Sequence, residues 1–391
     1  MTRLRLLTPL LILVLVGSVA APAVGDTALP QPVRTPASRP GRLIELRADP
    51  TNRPYHVSVP AALAQKMKRP GAQSATITVN YNPGFTPEAQ AAFQAAVDIW
   101  AALISSQVEI KVDAYWMGLG TGVLGSAGPC QFFRDFLNAP VSGAWYPVAL
   151  ANSMASSDLD PNGDCNTVPG GYDIRARFNS NLGLWYLGTD GNTPNGQYDL
   201  MSVVLHELGH GLGFTGSMDS GPPYCSDSAG CWGDGNNPNN PFIYDKYVVN
   251  GANQVLIDSF PNNSAEMFAQ FTSGNLFFNG PKTMQANNGN AAKLYAPATW
   301  SGGSSIAHLD EDTYLAGNAN ALMTPFLSDA ESTHNPGPIT LCMFKDMGWQ
   351  VDTSLVTTLP VPLAQPAGKF DPLTAPIIIF LPLVNRTGTA C

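Results

Sequence analysis

The stretch from Asp199 to Phe214, DLMSVVLHELGHGLGF, constrains the fold of this chain more than any other. It contains the pattern H-E-x-x-H as His206, Glu207 and His210. Residues four apart lie on one face of a helix, so both imidazoles can reach a single ion, and Glu207 can address a water on it. Asp199 is a suitable N-cap, and the apolar residues between predict a buried helix. The pattern is typical of the zinc-binding helix of metallopeptidases.

Three glycines interrupt this helix at Gly209, Gly211 and Gly213. A glycine inside a helix costs about 1 kcal/mol relative to alanine, so a purely structural core helix with two satisfied histidines would gain little from them. They predict that another backbone approaches closely and that the helix ends in a left-handed cap at Gly213.

Composition predicts export from the cell. Six cysteines, a charged fraction of 13% and a net charge of -9 are typical of a secreted protein in an oxidising environment, and the scarcity of basic residues argues against nucleic-acid binding. Arg3 and Arg5 precede the apolar run Leu10 to Val16 and a stretch of small residues. We therefore expect a signal peptide over residues 1–25, because the apolar run is too short for a membrane anchor.

The next segments predict a crossover unit. Residues 26–72 are rich in Pro and Arg, with a short apolar segment from Arg42 to Leu46, and are expected to be a propeptide or a linker. Thr76–Tyr81 and Val108–Tyr115 alternate like strands. Between them, Thr86-Pro87-Glu88 marks the start of a helix whose apolar residues recur at three and four. Strand, helix and strand together predict a helix that backs a sheet.

Further elements are predicted with weaker patterns. Trp145–Ala151 and Tyr172–Asn179 are strand candidates, and one of them is expected to form the sheet edge beside the active cleft, where an extended peptide could add as a strand. After the histidine helix, loops are expected to about residue 300. Phe242–Val249 and Leu256–Ile257 are predicted as short strands there, and Ala265–Phe271 as a helical turn.

A cluster of oxygen-bearing side chains suggests a second metal. Asp158, Asp160, Asn162 and Asp164 alternate before and after Gly163, as at the start of a calcium loop. Position twelve of that loop would be Pro169 instead of glutamate, so an ordinary Asx-rich turn is the alternative.

The cysteines and the tail complete the description. Cys225 and Cys231 are close enough for a short disulfide loop, and Cys130 with Cys165 and Cys342 with Cys391 would complete three bridges, although other pairings stay open. The Pro-rich tail over residues 353–391 contains the apolar run Ile377 to Val384, which is too short to cross a bilayer and predicts a buried strand or a docking segment.

A catalytic zinc commonly takes three protein ligands and leaves a fourth position for water. The compact metzincin pattern H-E-x-x-H-x-x-G-x-x-H keeps its glycine here as Gly213, but Gly216 stands where the third histidine would be. Five residues therefore remain as candidates for the third ligand: His56, His308, His334, Glu266 and Asp219. A surface loop is the ordinary alternative for His334.

The later motifs resemble leishmanolysin, the metzincin family in which a long insertion separates this glycine from the third histidine. The resemblance rests on HELGHGLGF, on SSIAH ending at His308, on LMTP with Met323, and on the terminal DMGW, over most of residues 199–350. It implies an α+β, metzincin-like catalytic domain in which a twisted mixed sheet has a backing helix and a zinc helix. Residues 73–213 would form its N-terminal subdomain, and residues 214–352 a loop-rich C-terminal subdomain.

The resemblance also implies a function. His206, His210 and His308 would bind zinc, Glu207 would be the general base, and Met323 would form the floor under the metal, although ordinary core packing also explains a methionine. The expected activity is that of a secreted, monomeric zinc endopeptidase that acts on polypeptides. An exported adhesin or binding module with a structural zinc is the alternative. The first cysteine is Cys130, inside the catalytic domain, so latency through a propeptide cysteine is not expected, and neither is the lipid anchor of the family.

Overall fold

A six-stranded mixed sheet with helices packed against it forms the centre of the computed structural model. The structure describes residues 36–356 and Cys391, except for residues 50, 52–53, 70, 72–73, 164, 166–169 and 237. The expected signal peptide and the apolar run Ile377 to Val384 lie outside the described residues. The part of the chain that is described contains no helix long and apolar enough to cross a membrane.

The helices vary from one turn to nearly five. The eight α-helices are α1 (Ala61–Met67), α2 (Pro87–Leu103), α3 (Val148–Ala155), α4 (Leu200–Leu212), α5 (Leu256–Ser259), α6 (Ala265–Phe271), α7 (Pro281–Ala286) and α8 (Gly337–Met347) within the described ranges. Short 3-10 helices cover Tyr244–Tyr247, Ala321–Met323 and Thr353–Leu355.

Most strands are short. In chain order they are β1 (Ala37–Pro40), β2 (Ile44–Ala48), β3 (His56–Val57), β4 (Ile77–Tyr81), β5 (Ile104–Ser105), β6 (Ile110–Met117), β7 (Val123–Pro129), β8 (Gln131–Arg134), β9 (Tyr146–Pro147), β10 (Ile174–Asn179), β11 (Trp185–Tyr186), β12 (Tyr198–Asp199), β13 (Asp219–Ser220), β14 (Gly230–Cys231), β15 (Val248–Asn250), β16 (Leu276–Phe278), β17 (Ala292–Lys293), β18 (Phe326–Leu327), β19 (Ser332–Thr333) and β20 (Gln350–Val351).

The main sheet has the strand order β18-β2-β7-β10-β6-β4. The predicted crossover is confirmed, because β4 and β6 pair in parallel and α2 connects them. Thr86 caps α2 by accepting a hydrogen bond from the amide of Ala89 at 3.2 Å. β10 pairs in parallel with β6 and antiparallel with β7, so the sheet is mixed and the fold is α+β.

Two predictions for the middle of the chain need correction. Most of Trp145–Ala151 is helical, since α3 begins at Val148 after the two-residue strand β9, and a short buried apolar run fits a helix as well as a strand. Tyr172–Asn179 does contain a strand, β10, but it lies inside the sheet and not at an edge. The strand next to α4 is the glycine-containing β7, which was not predicted.

The region after α4 is more ordered than predicted. Half of Phe242–Val249 is the 3-10 helix Tyr244–Tyr247, and only its last two residues belong to β15. Leu256–Ile257 starts helix α5 and does not form a strand. Ala265–Phe271 is helical as predicted. β15, β16 and β17 form a separate antiparallel sheet, but most of residues 214–300 lie outside helices and strands, as predicted.

The N-terminal segment is built into the fold. β1 pairs with β8, β2 lies between β7 and β18, and β3 pairs with β19. The three expected disulfides, Cys130–Cys165, Cys225–Cys231 and Cys342–Cys391, are all present. The last of them ties the terminal cysteine to α8.

Candidate metal centre

Three buried histidine side chains converge on one point. The Nε2 atoms of His206 and His210 are 2.9 Å apart, those of His210 and His308 are 3.1 Å apart, and those of His206 and His308 are 3.3 Å apart. All three rings are buried. Two come from one face of α4, and the third arrives from a loop 98 residues after His210.

The other ring nitrogen of each histidine is held by a backbone carbonyl. Nδ1 of His206 lies 2.5 Å from the oxygen of Leu322, Nδ1 of His210 lies 2.7 Å from that of Phe214, and Nδ1 of His308 lies 2.8 Å from that of Ser304. A carbonyl only accepts, so each Nδ1 carries the proton and each Nε2 is left with a lone pair.

Burial favours the neutral imidazoles. It lowers the pKa of His308 to about 4, and it lowers the pKa of His206 and His210 well below the usual value, with a further lowering from the neighbouring rings. Three unprotonated nitrogens therefore face each other at short range. The lone pairs of these nitrogens repel each other unless a cation lies among them. The three histidines could therefore hold a metal ion.

Caps and indole hydrogen bonds fix the position of α4. Asp199 accepts from the amide of Ser202 at 2.9 Å at the start of the helix, as predicted. Gly213 ends it with a φ of 121°, a conformation that favours glycine. The indoles of Trp100 and Trp349 donate to the carbonyls of Leu205 and Leu212, both at 2.9 Å.

The glycines of the helix admit neighbouring side chains. A Cβ at Gly209 would lie 2.8 Å from Sδ of Met323, and a Cβ at Gly211 would lie 2.3 Å from Cγ2 of Ile174. The predicted close approach therefore involves side chains and not another backbone. Met323 is fully buried, and it lies against the part of α4 that carries the two histidines.

Glu207 is buried beside the histidines and faces strand β2. Its Oε1 accepts a hydrogen bond from the amide of Leu46 at 3.2 Å, whereas Oε2 has no hydrogen-bond partner among the described residues. Burial raises the pKa of this carboxyl well above its usual value. Gly125 on β7 makes room for it, since a Cβ there would lie 2.9 Å from Oε1.

The other candidates for a third ligand have different partners. His56 is exposed and bonds to Ser332, and Asp219 pairs with Arg42 at 3.1 Å. Glu266 is exposed in the first turn of α6. His334 was expected in a surface loop, but it is buried and lies 2.6 Å from Asp199.

The suspected calcium ligands are partly described. Asp158 accepts from the amide of Asp160 at 2.9 Å and pairs with Lys111 at 3.7 Å, as in an Asx turn. Asp164 lies outside the described residues. Within the described ranges, the three histidines are the group of possible ligands that converges on one point, so calcium at Asp158, Asp160, Asn162 and Asp164 stays a prediction.

The sequence did not reveal two features of the site. One is the contact of Leu46 with Glu207, and its only signal was the apolar segment Arg42–Leu46 in a Pro-rich stretch. The other is the strand β7, whose Gly125 and Gly128 hide the alternation that predicts strands.

Comparison with known sequences gives one partial match. A family described as SPBPB7E8-like matches residues 167–268. This range contains β10, α4 and the first two histidines, but neither His308 nor Met323, and the description names no activity. No curated protein and no solved structure matches the chain.

Proposed function

We propose that this protein is a secreted zinc endopeptidase, similar to leishmanolysin, that hydrolyses polypeptides. One observation carries the proposal: three neutral imidazoles meet at one point, and a buried glutamate follows the first of them on the same helix. The three disulfides support an extracellular location.

The histidine geometry suits zinc. Imidazole nitrogens that bind a tetrahedral zinc at about 2.05 Å lie about 3.3 Å from each other, close to the distances among these Nε2 atoms. The carbonyls behind the Nδ1 atoms are the usual outer partners of zinc-bound histidines. Structural zinc sites are usually closed by four protein ligands, whereas the described residues supply three here. An open fourth position favours catalysis over the adhesin alternative.

The residues around the histidines have distinct roles in this proposal. When bound, zinc would acidify a water and polarise the peptide carbonyl. Glu207 would take the proton of the attacking water at Oε2, the oxygen without a partner among the described residues, and pass it to the leaving amine. The carbonyls of Leu322, Phe214 and Ser304 keep the three Nε2 atoms pointed at one position.

The leishmanolysin-like assignment rests on His308 and Met323. His308 reaches the two histidines of α4 across a long insertion, and Met323 packs under the same helix next to Gly209. Gly213 ends α4 where the metzincin pattern places a glycine. The strand β7 beside Glu207 belongs to the mixed sheet, as expected for a metzincin-like catalytic domain.

The test compares Glu207→Ala with Glu266→Ala, which removes an exposed carboxylate far from the histidines in sequence. Metal content is measured by mass spectrometry, and cleavage of casein is measured before and after limited proteolysis, because residues 26–72 are expected to include a propeptide or linker. Glu207→Ala should keep its zinc and lose cleavage by at least about a hundred-fold. Glu266→Ala should match the unmodified protein in both measurements.

Two results would overturn the proposal. If Glu207→Ala cleaves casein at the normal rate, the glutamate has no role in proton transfer. If the unmodified protein binds zinc but cleaves nothing before or after proteolysis, the metal is structural and the adhesin alternative is favoured.

A further inference from the structure

Strand β2 occupies a gap in the main sheet, with β7 on one side and the backbone at Gly303, Pro325 and Leu327 on the other. This gap, one strand wide, is called the slot below. On one side it pairs antiparallel with β7, with Leu46 opposite Gly125. On its other side the amides of Glu45, Arg47 and Asp49 donate to the carbonyls of Gly303, Pro325 and Leu327, at distances between 2.8 and 3.2 Å. β2 therefore lies between two backbone edges that would otherwise face each other unpaired.

The slot passes Glu207, the residue that follows the first histidine of the candidate metal centre. The amide of Leu46 donates to Oε1 of Glu207. The backbone of β2 therefore contacts the carboxylate that would take the proton of the attacking water. Extended peptides commonly bind proteins by adding as a strand to such an edge. β2 thus lies where a substrate of the proposed endopeptidase would bind, and with its backbone in the required extended form.

β2 fits closely against the strands that border the slot. A Cβ at Gly128 on β7 would lie 1.8 Å from the carbonyl oxygen of Arg42, so glycine is needed where the segment enters. Ile44 and Leu46 are buried. The side chains of Glu45 and Arg47 point outward and pair with each other at 2.9 Å.

A cavity lined by Asp219 and Asp234 receives the basic residues that precede β2. Arg42 forms an ion pair with Asp219 at 3.1 Å, and Arg39 donates to the carbonyl of Gly233 at 3.3 Å. Both arginines line a cavity of about 660 Å³, together with Asp219, Asp234 and Trp232. The buried indole nitrogen of Trp232 has no hydrogen-bond partner among the described residues.

We propose that β2 is an internal inhibitor seated in the peptide-binding groove, and that Asp219 holds Arg42 where the arginine of a substrate would bind. This inference rests on the proposed function for the identity of the site. It predicts that β2 must leave before cleavage starts. It also predicts that preferred substrates are extended peptides with an arginine four residues before the residue whose amide faces Glu207.

The experiment uses the full chain with a recognition sequence for a specific protease inserted after Thr51. The protein is nicked there without separating the fragments, then diluted to nanomolar concentration. Casein cleavage should rise at least about ten-fold over that of the intact chain, and a synthetic peptide of residues 36–49 should suppress it again. Circular dichroism checks that the nicked protein keeps its fold.

Two peptide variants test the arginine site. The peptide with Arg42→Ala should need an at least about ten-fold higher concentration to inhibit, since truncating a partly buried charge pair weakens binding strongly. The peptide with Arg47→Ala loses the same side chain on the outer face and should inhibit like the parent. In the Asp219→Asn protein, the parent and Arg42→Ala peptides should inhibit equally.

Direct binding of a fluorescent 36–49 peptide, measured by anisotropy, separates this inference from the proposed function. If the nicked protein binds the peptide with the expected dependence on Arg42 but cleaves nothing, the peptide-binding groove is supported and the proposed peptidase activity is rejected. If the peptide does not bind, or if the Arg42→Ala and Arg47→Ala peptides bind equally, the inference is overturned even for an active peptidase.

Discussion

Nε2 of His334 lies 2.6 Å from Oδ2 of Asp199, and the two side chains are 2% and 0% exposed. The same carboxylate oxygen caps α4 through Ser202. The amide of Thr333 donates to the hydroxyl of Ser202 at 2.7 Å. The segment that follows Met323 is therefore connected to the first turn of the helix that carries His206 and His210.

Substitution of His334 by alanine should destabilise the protein without removing its metal. The change leaves the buried carboxylate of Asp199 with Ser202 but without its imidazole partner, which typically costs about 2–4 kcal/mol. Urea unfolding measures this free energy, and mass spectrometry measures the metal.

The matched control for His334 is His56→Ala. His56 is exposed and bonds to Ser332 from the same segment, so its loss should change the unfolding free energy by less than about 1 kcal/mol. A His334→Ala protein that is as stable as this control would show that the pair with Asp199 contributes little.

Replacement of His308 by alanine tests the third ligand. Loss of an outer hydrogen-bond partner alone weakens metal binding about 10–100-fold, so loss of the ligand itself should weaken zinc binding by more than about 100-fold. Competition with a chromogenic chelator gives the affinity, and His56→Ala serves again as the control. If His308→Ala binds zinc as tightly as the control, another residue completes the site.

A methyl group at position 211 should separate α4 from β10. In Gly211→Ala the new Cβ would lie 2.3 Å from Cγ2 of Ile174, and overpacking of this kind costs about 1–3 kcal/mol. This cost should exceed the gain in stability of about 1 kcal/mol that alanine brings through its higher helix propensity. Gly120→Ala is the control, because its nearest neighbour would be at an ordinary 3.7 Å.

A double variant tests whether contact with Ile174 causes the loss of stability in Gly211→Ala. In the Ile174→Ala background the added methyl has space, so Gly211→Ala should cost less there than in the unmodified protein. Equal costs in both backgrounds would place the strain elsewhere. Urea unfolding of the four proteins supplies the comparison.

The parts of the fold that the sequence predicts are those with local causes. Helix α2 has a capping threonine, a proline at its first position and a regular apolar face, and α4 has its cap, its metal-ligand spacing and Gly213. Each signal acts within one or two turns. The short runs at Val148 and Leu256 lack such signals, and they are helical because of packing that periodicity does not record.

The position of the third histidine was predicted from a family resemblance, and that of β2 was not predicted. His308 lies 98 residues from His210, a separation that no local pattern specifies. β2 is placed by backbone hydrogen bonds to β7 and to the segment around Pro325, and such bonds leave no mark on residue type. Gly125 and Gly128 become informative only when the groups that fill the space beside them are known.

Asp173 should make stability depend on pH. Burial raises its pKa from 3.8 to about 7, although the amide of Lys111 and the side chain of Asn152 both donate to the carboxylate. Between these two values the folded protein holds a proton that the unfolded chain releases. The stabilisation that this bound proton provides is therefore complete below about pH 4 and is lost as the pH rises through 7. The unfolding free energy falls by up to about 1.4 kcal/mol per pH unit in this range.

Asp173→Asn cannot ionise, so its unfolding free energy should fall less steeply with pH than that of the unmodified protein. Asp258→Asn changes an exposed carboxylate and should keep the original slope. Urea unfolding at intervals from pH 5 to pH 7.5 gives the three slopes. Other buried carboxyls such as Asp245, whose pKa burial raises to about 6, contribute equally to all three proteins and cancel in the comparison. Identical slopes for Asp173→Asn and the unmodified protein would mean that Asp173 is ionised in the folded state throughout this range.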